Sequence, residues 1–370
     1  MSEFGRLREP LRRTLNGEGA IWPPLGDEEV ASLLAHGVAP LIYARARVPQ
    51  LRDEAIRAAA MEPLRLADLQ DVLRALAASG VKAVLMKGTA LAYDLYELPE
   101  LRPRVDTDLL IDRDSFAAAQ DAFRSLGFEE QITSGDEHAI RQRMFTRRDR
   151  HGLLHTYDVH WAIANSPLVA DVLRFHEIAP LPLPRIGQHA CALPRVEALL
   201  LACVHRVAHH HDEERLIWLV DIAMLRAGLS EEETKRFLHL AAERRVAALC
   251  ARSFAITDDW LGRGTWSVDS PRRGEPSRIF LDRDLTYGAM TLANLRALPW
   301  RARWTRLRQL AFPPAAFMHH SFATRRRGVL PWLYVVRGMR GVTRLLRPSG
   351  TTAALAARTP RGSTCRAQTL

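Results

Sequence analysis

The chain has 370 residues, 47% hydrophobic and 25% charged, the composition of a globular protein with room for two or three domains. No run of about 18 apolar residues occurs and the N-terminus lacks the apolar stretch of a secretion signal, so no membrane span is expected and the cytoplasm is the expected compartment. Four scattered cysteines without a Cys-x-x-Cys pair exclude a zinc knuckle or a disulfide framework.

Residues 1–75 read as a helical region. Asp27 is placed to cap a helix from Glu28, and Val30, Leu33, Leu34, Val38 and Leu41 recur at helical spacing. Residues 55–76 continue that pattern, with a kink expected at Pro63 and a stop at Ser79-Gly80. The pattern changes over residues 76–190. A short apolar run, 81–86, ends in Lys87-Gly88-Thr89, and residues 90–96 resume as a helix. Pro99 and Pro103 mark a loop, residues 105–111 read as a second strand, and Asp114 is placed to cap a helix reaching 126. Residues 128–132, 143–146 and 153–161 read as further strands, which gives a small mixed sheet with helices, an α+β core. Helices resume from Val196 and fill residues 191–348. Segments 197–211 and 215–227 are amphipathic, and Ser230 with Glu233 forms a capping box. Residues 262–276 read as a loop, 282–310 and 330–346 as helices, and 349–370 as a disordered tail.

The segment that carries chemistry runs from Lys87 to Asp108. Residues i and i+2 of a strand share a face, so Asp106 and Asp108 present two carboxylates where a strand leaves a loop. Such a pair suits Mg²⁺, which takes a few carboxylates together with substrate phosphate oxygens and water. Gly88 and Thr89, at a strand-to-helix turn, suit a phosphate: glycine permits close approach, threonine offers a hydroxyl, and a helix start presents N–H groups. The net charge of +10 comes almost wholly from arginine, and Lys82, Lys87 and Lys235 are the only lysines. A lysine kept beside that turn points to a compact charge able to neutralise phosphate. Arg102 and Arg104 are candidates to clamp phosphate from the loop, with solvated loop charges as the alternative.

LMKGTAL, ELPELRPRVDTDLLID and YDVHW together resemble the uncharacterised nucleotidyltransferase family of the DNA polymerase β-like superfamily, and the likeness extends over roughly residues 30–340. The resemblance implies a polymerase β-like core with helical flanks. It places Gly88 and Thr89 on the small-residue turn, Asp106 and Asp108 on the paired metal ligands, and Asp158 on the third carboxylate. It also implies Mg²⁺ (or Mn²⁺) and transfer of a nucleoside monophosphate from an NTP, with ATP the expected donor, to an acceptor that the sequence does not identify. Two departures are visible: about eighteen residues separate Gly88 from Asp106, and Thr107 replaces the usual hydrophobic residue between the aspartates.

His160 shares the face of Asp158 if the segment is a strand, and is a candidate to orient it or to assist proton transfer. His205, His209, His210 and His211 with Asp212 and Asp221 loosely resemble the metal set of HD-type phosphohydrolases; a helix end capped by Asp212, with Asp221 in a structural contact, is the preferred reading. A catalytically inactive nucleotide- or RNA-binding relative is a further alternative. Arginine-aromatic stretches after residue 300 suit an RNA or lipid surface, but ordinary packing with a solvated basic face is expected there.

Overall fold

The computed structural model describes residues 4–131, 140–262, 264, 266–269, 274–322, 324 and 327–345. The tail expected to be disordered lies outside them. Three short helices open the chain: α1 (Arg8–Leu15), α2 (Asp27–Ala35) and α3 (Ala39–Ala46). The N-cap of α2 is Gly26 rather than Asp27; the Glu29 carboxylate accepts from the Gly26 N–H at 3.0 Å, and Asp27 joins two glutamates in the first turn, where their charge favours the helix dipole. Next comes α4 (Arg52–Ala78), a single 27-residue helix that continues through Pro63.

The strands follow as β1 (Ala83–Met86), then, after α5 (Lys87–Asp94), β2 (Thr107–Ile111). Helix α6 (Phe116–Ser125) leads to β3 (Glu129–Glu130), β4 (Gln142–Arg148) and β5 (Leu154–His160). Asp112, not Asp114, supplies the cap before α6, accepting from the Asp114 N–H. Two-residue strands β6 (Leu181–Pro182) and β7 (Cys191–Ala192) complete a seven-stranded mixed sheet in the order β3-β4-β5-β2-β1-β7-β6. The pairings β2–β5 and β1–β7 are parallel; the others are antiparallel.

Alternation along the strands divides the sheet into two chemistries. Leu109 and Ile111 of β2 and Tyr157 and Val159 of β5 bury against Leu69, Leu73 and Leu76 of α4 and Phe123 of α6. The intervening residues, Asp108 on β2 and Asp158 and His160 on β5, therefore face the other way. Helix α4 also brings carboxylates inward: Asp68 accepts from the Tyr157 hydroxyl at 2.7 Å and pairs with Arg147, and Glu62 accepts from Tyr93 at 2.6 Å and Arg104 at 2.5 Å.

The C-terminal half is helical: α7 (Arg195–Val204), one π-helical turn (His205–His209), α8 (Leu216–Ala227), α9 (Glu231–Glu243) and α10 (Ala247–Leu261). The expected Ser230–Glu233 capping box is present. A second core joins these helices to the N-terminal ones: Leu11, Leu33 and Ile42 from α1–α3 pack with Leu219 and Val220 of α8 and Ile256 of α10.

One compact unit ends at Arg278 and another begins at Ile279. The second carries α11 (Tyr287–Ala297), α12 (Trp300–Ala311), α13 (Ala315–Ser321) and α14 (Leu330–Leu345). Ordinary packing of its apolar residues was the expectation, and the structure differs. Trp300, Trp304 and Leu307, spaced along one face of α12, are exposed, as are Trp332, Val335 and Met339 of α14. Among the described residues, Ala302, Met318 and Leu333 of these helices are buried. No helix among the described residues is long and apolar enough to cross a membrane.

The loop before β2 is fastened to α8 by a buried ion pair. Arg102 Nη2 lies 2.7 Å from Asp221 Oδ2, and the Tyr96 hydroxyl donates to Asp221 Oδ1 at 2.7 Å; Asp221 is 2% exposed and Arg102 6%. Removing one partner of such a pair leaves a buried charge unmatched. Asp221→Ala is expected to cost about 3–5 kcal/mol in urea unfolding, with Arg102→Met/Asp221→Leu recovering most of the loss. Equal stability of wild type and Asp221→Ala would show that the pair does not hold the loop.

Candidate active site

A cavity of about 250 Å³ opens over the polar side of the sheet. Its lining includes Lys87, Gly88, Asp106, Asp108 and Asp158. Parallel pairing of β2 with β5 sets Asp108 directly opposite Asp158, and Asp106 precedes β2 by one residue. Three carboxylates from two neighbouring strands thus meet in one cavity. Asp108, Asp158 and His160 each offer a ligand atom within 4.8 Å of the others.

Asp108 is the most strongly held of the three. Its Oδ1 accepts from Lys87 Nζ at 2.7 Å and from His160 Nε2 at 2.9 Å, while Oδ2 receives no hydrogen bond from the described residues. Burial acts to raise its pKa, but the Lys87 ammonium and the His160 hydrogen bond outweigh it and keep the carboxyl well below the usual carboxylate range. His160 itself is driven down, first by burial and then by Lys87, so it is neutral and donates from Nε2. Its partner is Asp108 and not Asp158, because β5 carries it one further pair along the shared face.

Asp158 is the unsatisfied member. Gln142 Nε2 donates to its Oδ2 at 3.2 Å, and its buried Oδ1 has no hydrogen-bond partner. Burial, then repulsion from Asp108 and Asp106, pushes its pKa up to about 7. Asp106 is also raised, by burial and by Asp108. Crowded carboxylates with open oxygens and only one nearby ammonium fit a hard divalent cation such as Mg²⁺ or Mn²⁺.

Lys87 adopts a left-handed backbone with φ 52°, uncommon for a residue with a side chain. The turn between β1 and α5 thereby aims its ammonium at Asp108. Gly88 lines the cavity, and its missing side chain also serves a second neighbour. A Cβ there would lie 2.7 Å from Arg102 Nη1, so the glycine makes room for the buried arginine. The Thr89 side chain is buried outside the cavity lining, with Oγ1 3.1 Å from Thr107 Oγ1; it ties the turn to β2 instead of offering a hydroxyl to phosphate. Thr107, the departure from the family pattern, thus has a partner.

Arg102 and Arg104, expected to clamp phosphate, reach the cavity wall but are committed elsewhere: Arg102 to Asp221 and Arg104 to Glu62. Buried acids supplied by α8 and α4 outcompete a solvated role. Sequence reasoning missed Arg215. Its side chain lines the cavity, lies over the Trp218 ring at 5.2 Å and makes no ion pair with a described residue; its Nε is buried without a partner. No periodicity marks this arginine among the many others, so the sequence held no signal for it.

The HD-type set does not assemble. Asp212 Oδ1 and Oδ2 are held by Arg206 at 2.6 Å and Arg252 at 2.7 Å, and Asp221 is held by Arg102 and Tyr96. Neither aspartate is left to share an ion with a histidine. Asp212 follows the histidine segment but braces it through arginines.

A family model matches residues 27–262, from the first residue of α2 to the cap of α10, a span that takes in every strand and the cavity. The chain belongs to the uncharacterised nucleotidyltransferase family. No curated protein matches it.

The raised Asp158 has a consequence for stability. The folded protein holds a proton on Asp158 that the unfolded chain releases near pH 4, so without a divalent ion this group lowers stability as pH rises from about 4 towards 7. A bound cation needs the carboxylate ionised and relieves the repulsion. Mg²⁺ is therefore expected to raise the melting temperature more at pH 8 than at pH 5.5, and Asp158→Asn to flatten both the metal-free pH slope and the Mg²⁺ response. A Mg²⁺ shift of the same size at both pH values would contradict the assignment.

Proposed function

We propose that the protein moves a nucleoside monophosphate from an NTP, with ATP the expected donor, to an acceptor hydroxyl or phosphate on a polymerase β-like core. The observation carrying this reading is the β2–β5 register, which sets Asp108 against Asp158 with Asp106 beside them in one cavity. Asp106, Asp108 and Asp158 would hold Mg²⁺ or Mn²⁺. When bound, such an ion supplies Lewis-acid stabilisation of the phosphate oxygens and favours ionisation of the acceptor.

The chain's own residues divide the remaining work. Lys87 and His160 keep Asp108 ionised and fixed, so the site carries negative charge before a nucleotide arrives. The acceptor oxygen attacks the α-phosphorus, the bond to the bridging oxygen breaks, and pyrophosphate leaves with the electron pair. The acceptor's proton passes to Asp158, whose Oδ1 has no hydrogen-bond partner and is open to receive it. Arg215 binds the triphosphate, taking the part that Arg102 and Arg104 cannot. Its position over Trp218 orients the guanidinium towards the cavity without spending it on a carboxylate.

The test is incubation of the purified protein with each α-labelled NTP, Mg²⁺ and cell extract. Label is expected in an acceptor with wild type, to fall about 100-fold or more with Asp108→Asn. Arg215→Ala is expected to raise KM for the NTP about ten- to a hundredfold. Labelling that survives Asp108→Asn unchanged overturns the reading.

A further inference from the structure

Another part of the cavity wall holds three imidazoles that nucleotidyl transfer does not require. After α7 the chain makes a π-helical turn, His205–His209, closed by the His210 N–H donating to the His205 carbonyl at 3.3 Å. In an i→i+5 turn the positions i+4 and i+5 fall on either side of position i, whereas an α-helical turn brings i+3 and i+4 close and carries i+5 away. His209 and His210 accordingly flank His205. The His205 and His209 rings stack at 4.9 Å and 12°, and His210 meets them edge-on at 4.5 and 5.0 Å. One nitrogen from each ring lies within 4.8 Å of the other two.

The turn is braced from behind. Arg206, 1% exposed, donates to Asp212 at 2.6 Å, to the Glu213 carbonyl at 3.2 Å and to Ser253 Oγ at 3.2 Å. His211 and Asp212 both take left-handed backbone, with φ 53° and 61°, which turns the chain back over Arg206. The His210 ring rests against Trp218 at 4.2 Å. A π-turn and consecutive left-handed residues are uncommon and collect at functional sites.

All three rings line the cavity and none makes a hydrogen bond to a described residue, so no protein group competes for their nitrogens. We propose that His205, His209 and His210 form a three-imidazole site for a borderline divalent transition metal, Zn²⁺ or Co²⁺ in type, separate from the carboxylate site.

The chemistry agrees. Imidazole nitrogen suits borderline ions, as carboxylate oxygen suits Mg²⁺. His205 and His210 are held below the ordinary imidazole range, first by burial and then by the positive charge of Lys87 and the neighbouring rings, His210 to about 3, so both are neutral at physiological pH. Neutral rings offer lone pairs to a cation without a proton to displace. Three protein ligands leave the fourth position of a tetrahedral ion open to the cavity, where an oxygen donor of a substrate would complete it. This site rests on the imidazole geometry alone, so its failure would leave the carboxylate reading untouched.

Co²⁺ is the probe. Chelator-treated full-length protein carrying Asp106→Asn/Asp108→Asn/Asp158→Asn, which removes the rival carboxylates, is titrated with Co²⁺ and followed by visible absorption. About one ion per chain with a d–d band of tetrahedral nitrogen ligation is expected, displaced by Zn²⁺ and lost on adding His205→Gln or His209→Gln. In unmutated protein, Zn²⁺ should protect the same three histidines from diethylpyrocarbonate, read by peptide mass spectrometry, an arm that needs no variant to fold. Absence of the band, its survival in both histidine variants, or equal modification with and without Zn²⁺ overturns the proposal.

Discussion

The register between β2 and β5 is the constraint on which the site depends. Side-chain direction alternates along a strand, so a slip of one residue would turn Asp158 and His160 into the apolar layer and bring Tyr157 and Val159 out. The layer itself forbids that slip, because Tyr157 and Val159 fill the space under α4 and α6 and the Tyr157 hydroxyl is claimed by Asp68. Packing on one side of the sheet thus fixes chemistry on the other. The same apolar contacts that stabilise the fold hold three carboxylates together at one cavity.

Positive charge around those carboxylates is graded by what each cation can reach. Lys87, turned inward by its left-handed backbone, satisfies one oxygen of Asp108 and leaves Asp158 uncompensated. Arg102 and Arg104 stand closer to the loop but are neutralised by Asp221 and Glu62, and serve to hold that loop while it delivers Asp106. Arg215 is the guanidinium not spent on a carboxylate. The protein thereby separates arginines that build the wall from one that can meet a ligand.

Much of this centre was legible in the sequence because its signals are local. Asp106 and Asp108 differ by two positions at a strand start, and Lys87 stands out in a chain that otherwise prefers arginine, whereas Asp158 was reached only through the resemblance of YDVHW to the family pattern. The misread residues depend on partners remote in sequence. Arg102 meets Asp221 across 119 residues and Arg104 meets Glu62 across 42, and no spacing rule connects them. Gly88 announced a close approach, and the Arg102 side chain makes one. For the fold, long helices and the central strands followed from periodicity, while β6 and β7, two residues each, are too short to leave a pattern. The histidines looked like an ordinary helix end because an α-helix was assumed; only the π-turn brings the third ring to the other two.

Membership of the uncharacterised nucleotidyltransferase family agrees with a sheet whose polar side gathers acids beside a cavity. The most direct check of that gathering is the affinity of the purified protein for Mn²⁺ at pH 8, read from the paramagnetic resonance of the free ion. Asp106→Asn, Asp108→Asn and Asp158→Asn should each weaken binding by about tenfold or more, a loss of roughly 1.4 kcal/mol. Mn²⁺ held as tightly by the Asp158→Asn protein as by wild type would mean that the two strands do not share an ion.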